Sequence, residues 1–109
     1  MIKTLTIKYP ISGTKIFLPF SAICSVTDKE FGGDIIIEYY PKTKVLEYAD
    51  AETAVNRTAK KKLTAENLVY LVFSEVEKSI KPRHLKVLVE VKYSKAHKPV
   101  HVWLEKGKK

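Results

Sequence analysis

The chain has 109 residues, 45% of them apolar and 29% charged, the size and balance of one globular domain around a single core. No run approaches the ~18 consecutive apolar residues of a membrane span, and the start "MIKTLTIKYPISG" lacks the apolar stretch and small-residue cleavage site of a secretory leader. Twenty Lys and Arg against twelve Asp and Glu leave a net charge of +8. A polyanionic partner, most simply nucleic acid, competes with a plain lysine-rich surface as the meaning of that excess.

In chain order, residues 2–9 predict a strand. Pro10, Gly13 and Pro19 predict loop for most of 10–33, with a short extended piece at 14–18. "DIIIEYY" (34–40) predicts a buried strand that Pro41 ends and from which "KTKVLE" could return. Tyr48 to Lys60 contains no Gly or Pro and several alanines, and predicts a modest helix. Thr64 to Ile80 predicts a second one: Leu68, Leu71, Val72, Val76 and Ile80 recur at helical spacing, Thr64 is placed to cap the start, and Pro82 lies just past the end. "HLKVLVEVKYS" then alternates, with Leu85, Val87, Val89, Val91 and Tyr93 on one face and Lys86, Glu90 and Lys92 on the other; "PVHVWLE" continues the pattern. Strand, strand, helix, helix, strand, strand predicts an α+β domain, an antiparallel sheet with two helices on one face.

Cys24 is the single cysteine. It cannot form an internal disulfide and has no companions for a metal site, so no metal is expected and a reducing, cytoplasmic setting fits. A lone cysteine usually packs as a small hydrophobe. Against that, its surroundings, "CSVTDKE", are polar and loop-like, and Asp28, Glu30 and Asp34 follow within ten residues. A thiolate with a carboxylic acid nearby can serve as nucleophile and proton donor. His84, His97 and His101 lie in or beside predicted strands and read as surface or strand-face residues. The positive charge gathers in "RTAKKK" (57–62), "KPRHLK" (81–86) and the tail "EKGKK".

The series Cys24-Ser-Val-Thr, Pro41, Val-Leu-Glu ending at Glu47, Glu66, and Lys81-Pro82-Arg83 resembles the nitrile reductase family of queuosine biosynthesis, tunnel-fold enzymes. Pro41, Glu47 and Glu66 follow Cys24 by 17, 23 and 42 residues, the spacing of that family without a gap, and the match spans about residues 20–92. Departures narrow it. "EYADAET" stands where the reductases carry the lysine-bearing motif associated with NADPH, Ala65 stands for a histidine, and Phe31 for the aspartate seven residues after the cysteine. The chain is therefore more similar to the short archaeal relatives, the QueF-like archaeosine synthases, which use the cysteine for amidino transfer without reduction.

That resemblance implies one tunnel-fold domain over 1–109, of ββααββ order, that closes by association into a ring, as a homo-oligomer with the decamer of two pentamers as its expected form. It implies tRNA carrying 7-cyano-7-deazaguanine as substrate, ammonia as co-substrate and no redox cofactor. Cys24 would form a thioimide, with Asp28 or Asp34 donating the proton. Glu66 would grip the purine, and Glu47 and Tyr48 would line the pocket. Arg57, Lys60, Lys61 and Lys62, just ahead of the helix bearing Glu66, would form a basic rim for RNA. Two alternatives stay open: an NADPH-dependent 7-cyano-7-deazaguanine reductase with a degenerate cofactor motif, and a tunnel-fold RNA-binding module without catalysis.

Overall fold

The structure, a computed structural model, describes residues 1–107; the last two lysines of the basic tail lie outside the described residues. Eight elements follow one another: β1 (Thr4–Thr6), β2 (Thr14–Ile23), β3 (Glu30–Tyr40), β4 (Lys44–Leu46), α1 (Tyr48–Ala59), α2 (Ala65–Ile80), β5 (His84–Ser94) and β6 (His101–Gly107). Strands β2, β3, β5 and β6, in that order, form an antiparallel sheet, and β1 pairs separately with β4. The helices lie between β3 and β5 in sequence and pack on one face of the sheet. This is the expected α+β class and ββααββ order, though not from the expected strands.

The first strand of the sheet is β2, inside a segment predicted to be mostly loop; the predicted strand at 2–9 survives only as Thr4–Thr6 and belongs to the small sheet. Ile16, Leu18, Phe20, Ala22 and Cys24 alternate inward along β2 and its continuation. Pro19 interrupts nothing because β2 is an edge strand, where a missing N–H can face away from the ladder. "KTKVLE" does turn back, but β4 returns to β1 rather than to β3. The Tyr39 hydroxyl anchors it, accepting the Leu46 N–H at 3.0 Å.

Helix α2 starts as expected. Thr64 caps it through a reciprocal box with Asn67, and Leu68, Val72, Val76 and Ile80 are buried, while Leu71 falls at the edge of the apolar face, 38% exposed. Lys81, at φ 44°, ends it in the left-handed region ahead of Pro82. On β5, Leu85, Val87, Val89 and Val91 face the helices, but Tyr93 does not. A bulge shifts the register between Gly32 and Gly33, so that Gly33 faces Val91 and Gly32 faces Tyr93, with Lys92 as the extra residue. One inserted residue turns the alternation over. A side chain at Gly33 would strike the Glu90 carbonyl, which is why glycine stands there.

The core lies between sheet and helices, with Ile35, Ile37, Tyr39, Val87, Val89, Leu68 and Val76 excluded from solvent; each buried aliphatic contributes about 1.5–3 kcal/mol. The other face of the sheet is open, and its side chains form rows across the strands. Tyr40, His84 and Gly107 stand in register, then Lys15, Glu38, Lys86 and Glu105, then Phe17, Ile36, Leu88 and Trp103, then Pro19, Asp34, Glu90 and His101. Among the described residues, no helix is long and apolar enough to cross a membrane.

Candidate active site

Cys24 closes β2 where the chain turns into β3. Its N–H donates to the Lys29 carbonyl at 2.9 Å, and its carbonyl accepts the Asp28 N–H at 2.8 Å. Asp28 takes φ 62° to complete this turn, a conformation aspartate tolerates better than most residues. The turn is tied to the connection between the helices: Ser25 N–H donates to the Leu63 carbonyl at 3.2 Å, Leu63 N–H donates to the Ile23 carbonyl at 3.0 Å, and Cys24 bridges Leu63 in parallel. Two residues after Leu63 the helix carrying Glu66 begins. A short β-bridge thus sets the thiol beside the first turn of α2.

The thiol is free and only 4% exposed, as a core cysteine would be, yet its cover is thin. The Thr27 N–H and hydroxyl and the Val26 N–H are directed at the sulfur and hold it below its ordinary pKa, outweighing the opposite pushes of burial and of the Glu66 carboxylate. Donors aimed at a thiolate favour the charged, nucleophilic form. Thr27 and Val26 were not anticipated as site residues. Thr27 is an ordinary polar loop residue in the sequence, and a backbone N–H leaves no signal there.

The remaining candidates divide by position. Glu66 is exposed and close enough for its charge to act on Cys24; a carboxylate in the first turn is favoured by the helix dipole. Asp28 shares the turn with Cys24, its side chain exposed and paired with Lys62 at 2.5 Å. Arg57, Lys60 and Lys61 are exposed at the same end, around the C-terminus of α1. Asp34 is elsewhere. It faces Pro19, five residues before Cys24 and roughly 16 Å away along the strand at ~3.3 Å per residue, on the open face and 2.6 Å from Lys92. Glu47 caps α1, accepting the Ala49 and Asp50 N–H groups at 2.7 and 3.2 Å. With Tyr48 it stands at the far end of that helix from Lys60, about 18 Å away at ~1.5 Å per residue. Tyr48 instead lines a groove of about 460 Å³ along the β2 edge with Lys15 to Leu18. Within one chain, then, Cys24, Glu66, Asp28 and the basic residues come together, and Asp34, Glu47 and Tyr48 do not join them.

Phe31 is fully buried, with its ring 5.9 Å from that of Phe20 and 5.5 Å from that of His97. Phe31 is thus a core residue, and no acid stands at that position. His84 is a strand-face residue, as expected, but buried: its Nε2–H donates to Glu105 Oε2 at 2.7 Å, at the other end of the sheet. Among the described residues, no group of three or more His, Cys, Asp and Glu is placed to hold a metal ion.

No protein-family model and no curated protein matches the chain. Solved structures do. A crystal structure of the archaeosine synthase QueF-Like in its apo form superposes with a TM-score of 0.81 at 20% identity, covering 90% of this chain and 96% of that one. The chain therefore has the α+β tunnel fold of the archaeosine synthase QueF-Like.

Proposed function

We propose that the protein is a tRNA-modifying amidinotransferase that converts 7-cyano-7-deazaguanine in tRNA to archaeosine. The observation that carries this reading is the Cys24 thiol, held toward its thiolate by the Thr27 and Val26 donors next to Glu66. The thiolate adds to the nitrile carbon while the nitrile nitrogen takes a proton, giving a thioimide. Ammonia adds to the same carbon, loses a proton, and the thiolate departs, leaving an amidine. No electrons are gained or lost, so the course requires no redox cofactor, in keeping with "EYADAET" where a lysine grip on cofactor phosphates is absent. The covalent step divides one difficult addition into two easier ones.

Glu66 accepts the paired N–H donors of the guanine-like edge in this reading, a charge-assisted contact. Asp28 is the better placed of the two acids to supply the proton, since it shares the Cys24 turn. Arg57, Lys60 and Lys61 hold RNA phosphates at the Cys24 end of the sheet, with Lys62 already engaged by Asp28.

A ring of copies, for which a decamer of two pentamers is the expected form, is supported by the sheet. Its edges, β2 and β6, each end the ladder, and an unpaired edge is a template for a further strand. A neighbour's β2 set against β6 would be antiparallel. With Lys15 facing Glu105 and Phe17 facing Trp103, it would continue both the alternating charge row and the apolar row, whose end residues Phe17 and Trp103 are 61% and 58% exposed. Tyr48, along the β2 edge, would then stand at a subunit boundary.

The test is turnover on tRNA carrying the nitrile base, with ammonium and NADPH both present. Amidine with no NADPH consumed is expected; NADPH oxidation with an amine product would instead identify a reductase. The buried Phe31 at the family's acid position favours a second reading, a tunnel-fold RNA-binding module without catalysis, in which neither product forms.

A further inference from the structure

A cleft of about 860 Å³ lies at the end of the sheet away from Cys24, where residues 7–12 pass the ends of β3, β5 and β6. Its lining includes Tyr9, Ile11, Tyr40, Lys42, Pro82 and Arg83, and no carboxylate. Tyr40 is held in place from behind: its ring lies 4.8 Å from that of the buried His84, tilted by 37°, and Gly13 runs beside its edge, where even a Cβ would come within 3.4 Å of the ring. Tyr9 is 72% exposed. Lys42 and Arg83 are exposed and, among the described residues, in no ion pair. Lys8 adjoins Tyr9 in sequence and Lys81 adjoins Pro82, and among the described residues both are likewise in no ion pair.

A cleft of this size is in the range that encloses a small ligand, but its charge is of one sign and its rings are at the surface. An acidic peptide would satisfy the cations and leave the rings idle. Single-stranded nucleic acid uses both, because every base has a face to stack and every link a phosphate to neutralise. We propose that this cleft binds single-stranded RNA, one base stacked on Tyr40 with Tyr9 closing over it and the adjoining phosphates on Lys42 and Arg83. It rests on the tRNA reading above only for which RNA would occupy it.

The test is equilibrium binding of fluorescein-labelled octauridylate to the full chain across a salt series. Tyr9→Ala, at an exposed position, should weaken binding about fivefold or more, as expected from the loss of one base stack. Lys42→Ala with Arg83→Ala should flatten the slope of log affinity against log salt by about 1.4, two phosphate contacts at ~0.7 each. Parent-like affinity and slope in both variants would overturn the proposal. So would displacement of the probe by polyglutamate as readily as by unlabelled octauridylate. Both variants should still form the Cys24 adduct with the free nitrile base. A missing adduct alongside Tyr9-dependent binding would defeat the amidine reading alone, and the reverse result would defeat the cleft alone.

Discussion

The two ends of the sheet are built differently. At the Cys24 end the groups nearest the thiol are engaged: donors of the turn are directed at the sulfur, a β-bridge locks that turn to the helix connection, and Lys62 pairs with Asp28. At the cleft end the polar groups are left over. Among the described residues Lys42 and Arg83 are in no ion pair, and His84 Nδ1 is the one buried side-chain polar atom without a hydrogen-bond partner. Such an orphan costs about 1–3 kcal/mol. A thiol fixed by directed donors suits one reacting atom held in one place, and an open cationic cleft suits a long anion. On the proposals above, the reacting thiol and the single-strand cleft would stand at opposite ends of the sheet, the length of its strands apart.

The sharpest way to break this division is Cys24→Ala. It should abolish amidine formation completely and leave octauridylate binding unchanged, with an unfolding midpoint within about 8 °C of the parent, the shift that ~1 kcal/mol produces in a domain near this size. Loss of RNA binding in that variant would show that the ends are not separate. Next is Trp103→Asp, at an exposed position between the two ends. If β6 meets a neighbour's β2, a charge there should reduce the assembly to single chains, measured by light scattering; an unchanged mass would place the contact elsewhere. Glu66→Ala should weaken adduct formation with the free nitrile base by about tenfold or more, from the loss of a charged hydrogen-bond partner of the base.

Smaller effects sharpen the electrostatics. Removing a donor from the thiolate raises the thiol pKa, and removing the neighbouring negative charge lowers it. In iodoacetamide alkylation followed against pH, the midpoint for Cys24 should lie below that of a free thiol. It should move up in Thr27→Val and down in Glu66→Gln, so at neutral pH the first variant reacts more slowly than the parent and the second faster. Glu66→Gln should thus gain in alkylation while Glu66→Ala loses in adduct formation, opposite signs that separate thiol activation from purine recognition. The smallest effect is expected from Lys60→Ala with Lys61→Ala: a salt slope for tRNA flatter by about 1.4–1.8, at ~0.7–0.9 per phosphate.

How far the sequence could be read depended on whether local chemistry and tertiary position agreed. Helix α2 was legible because its apolar spacing, its Thr64 cap and Pro82 all say the same thing. Strand β2 was not. Pro10, Gly13 and Pro19 mark a loop by local rules, and the alternation of Ile16, Leu18, Phe20 and Ala22 is decisive only once β2 is known to be an edge. Tyr93 was assigned to the buried face because a bulge at Lys92, which depends on glycines in the partner strand, cannot be seen in β5 alone. Cys24 and Glu66 were joined only through the family resemblance, and the structure brings Glu66 close enough for its charge to act on the thiol. The groups that tune the thiol are largely main-chain N–H groups, invisible in any sequence. Asp34 fell on the wrong face for Cys24 within a chain because proximity in sequence says nothing about which side of a strand a residue occupies.

The central claim is that Cys24 is a nucleophile toward a nitrile, and intact-protein mass after incubation with free 7-cyano-7-deazaguanine tests it most directly. The account predicts a single adduct equal in mass to the whole base, with nothing lost, present in the parent and absent in Cys24→Ala. An unmodified parent in which Cys24 also resists alkylation under native conditions would contradict it, and would return the cysteine to the core.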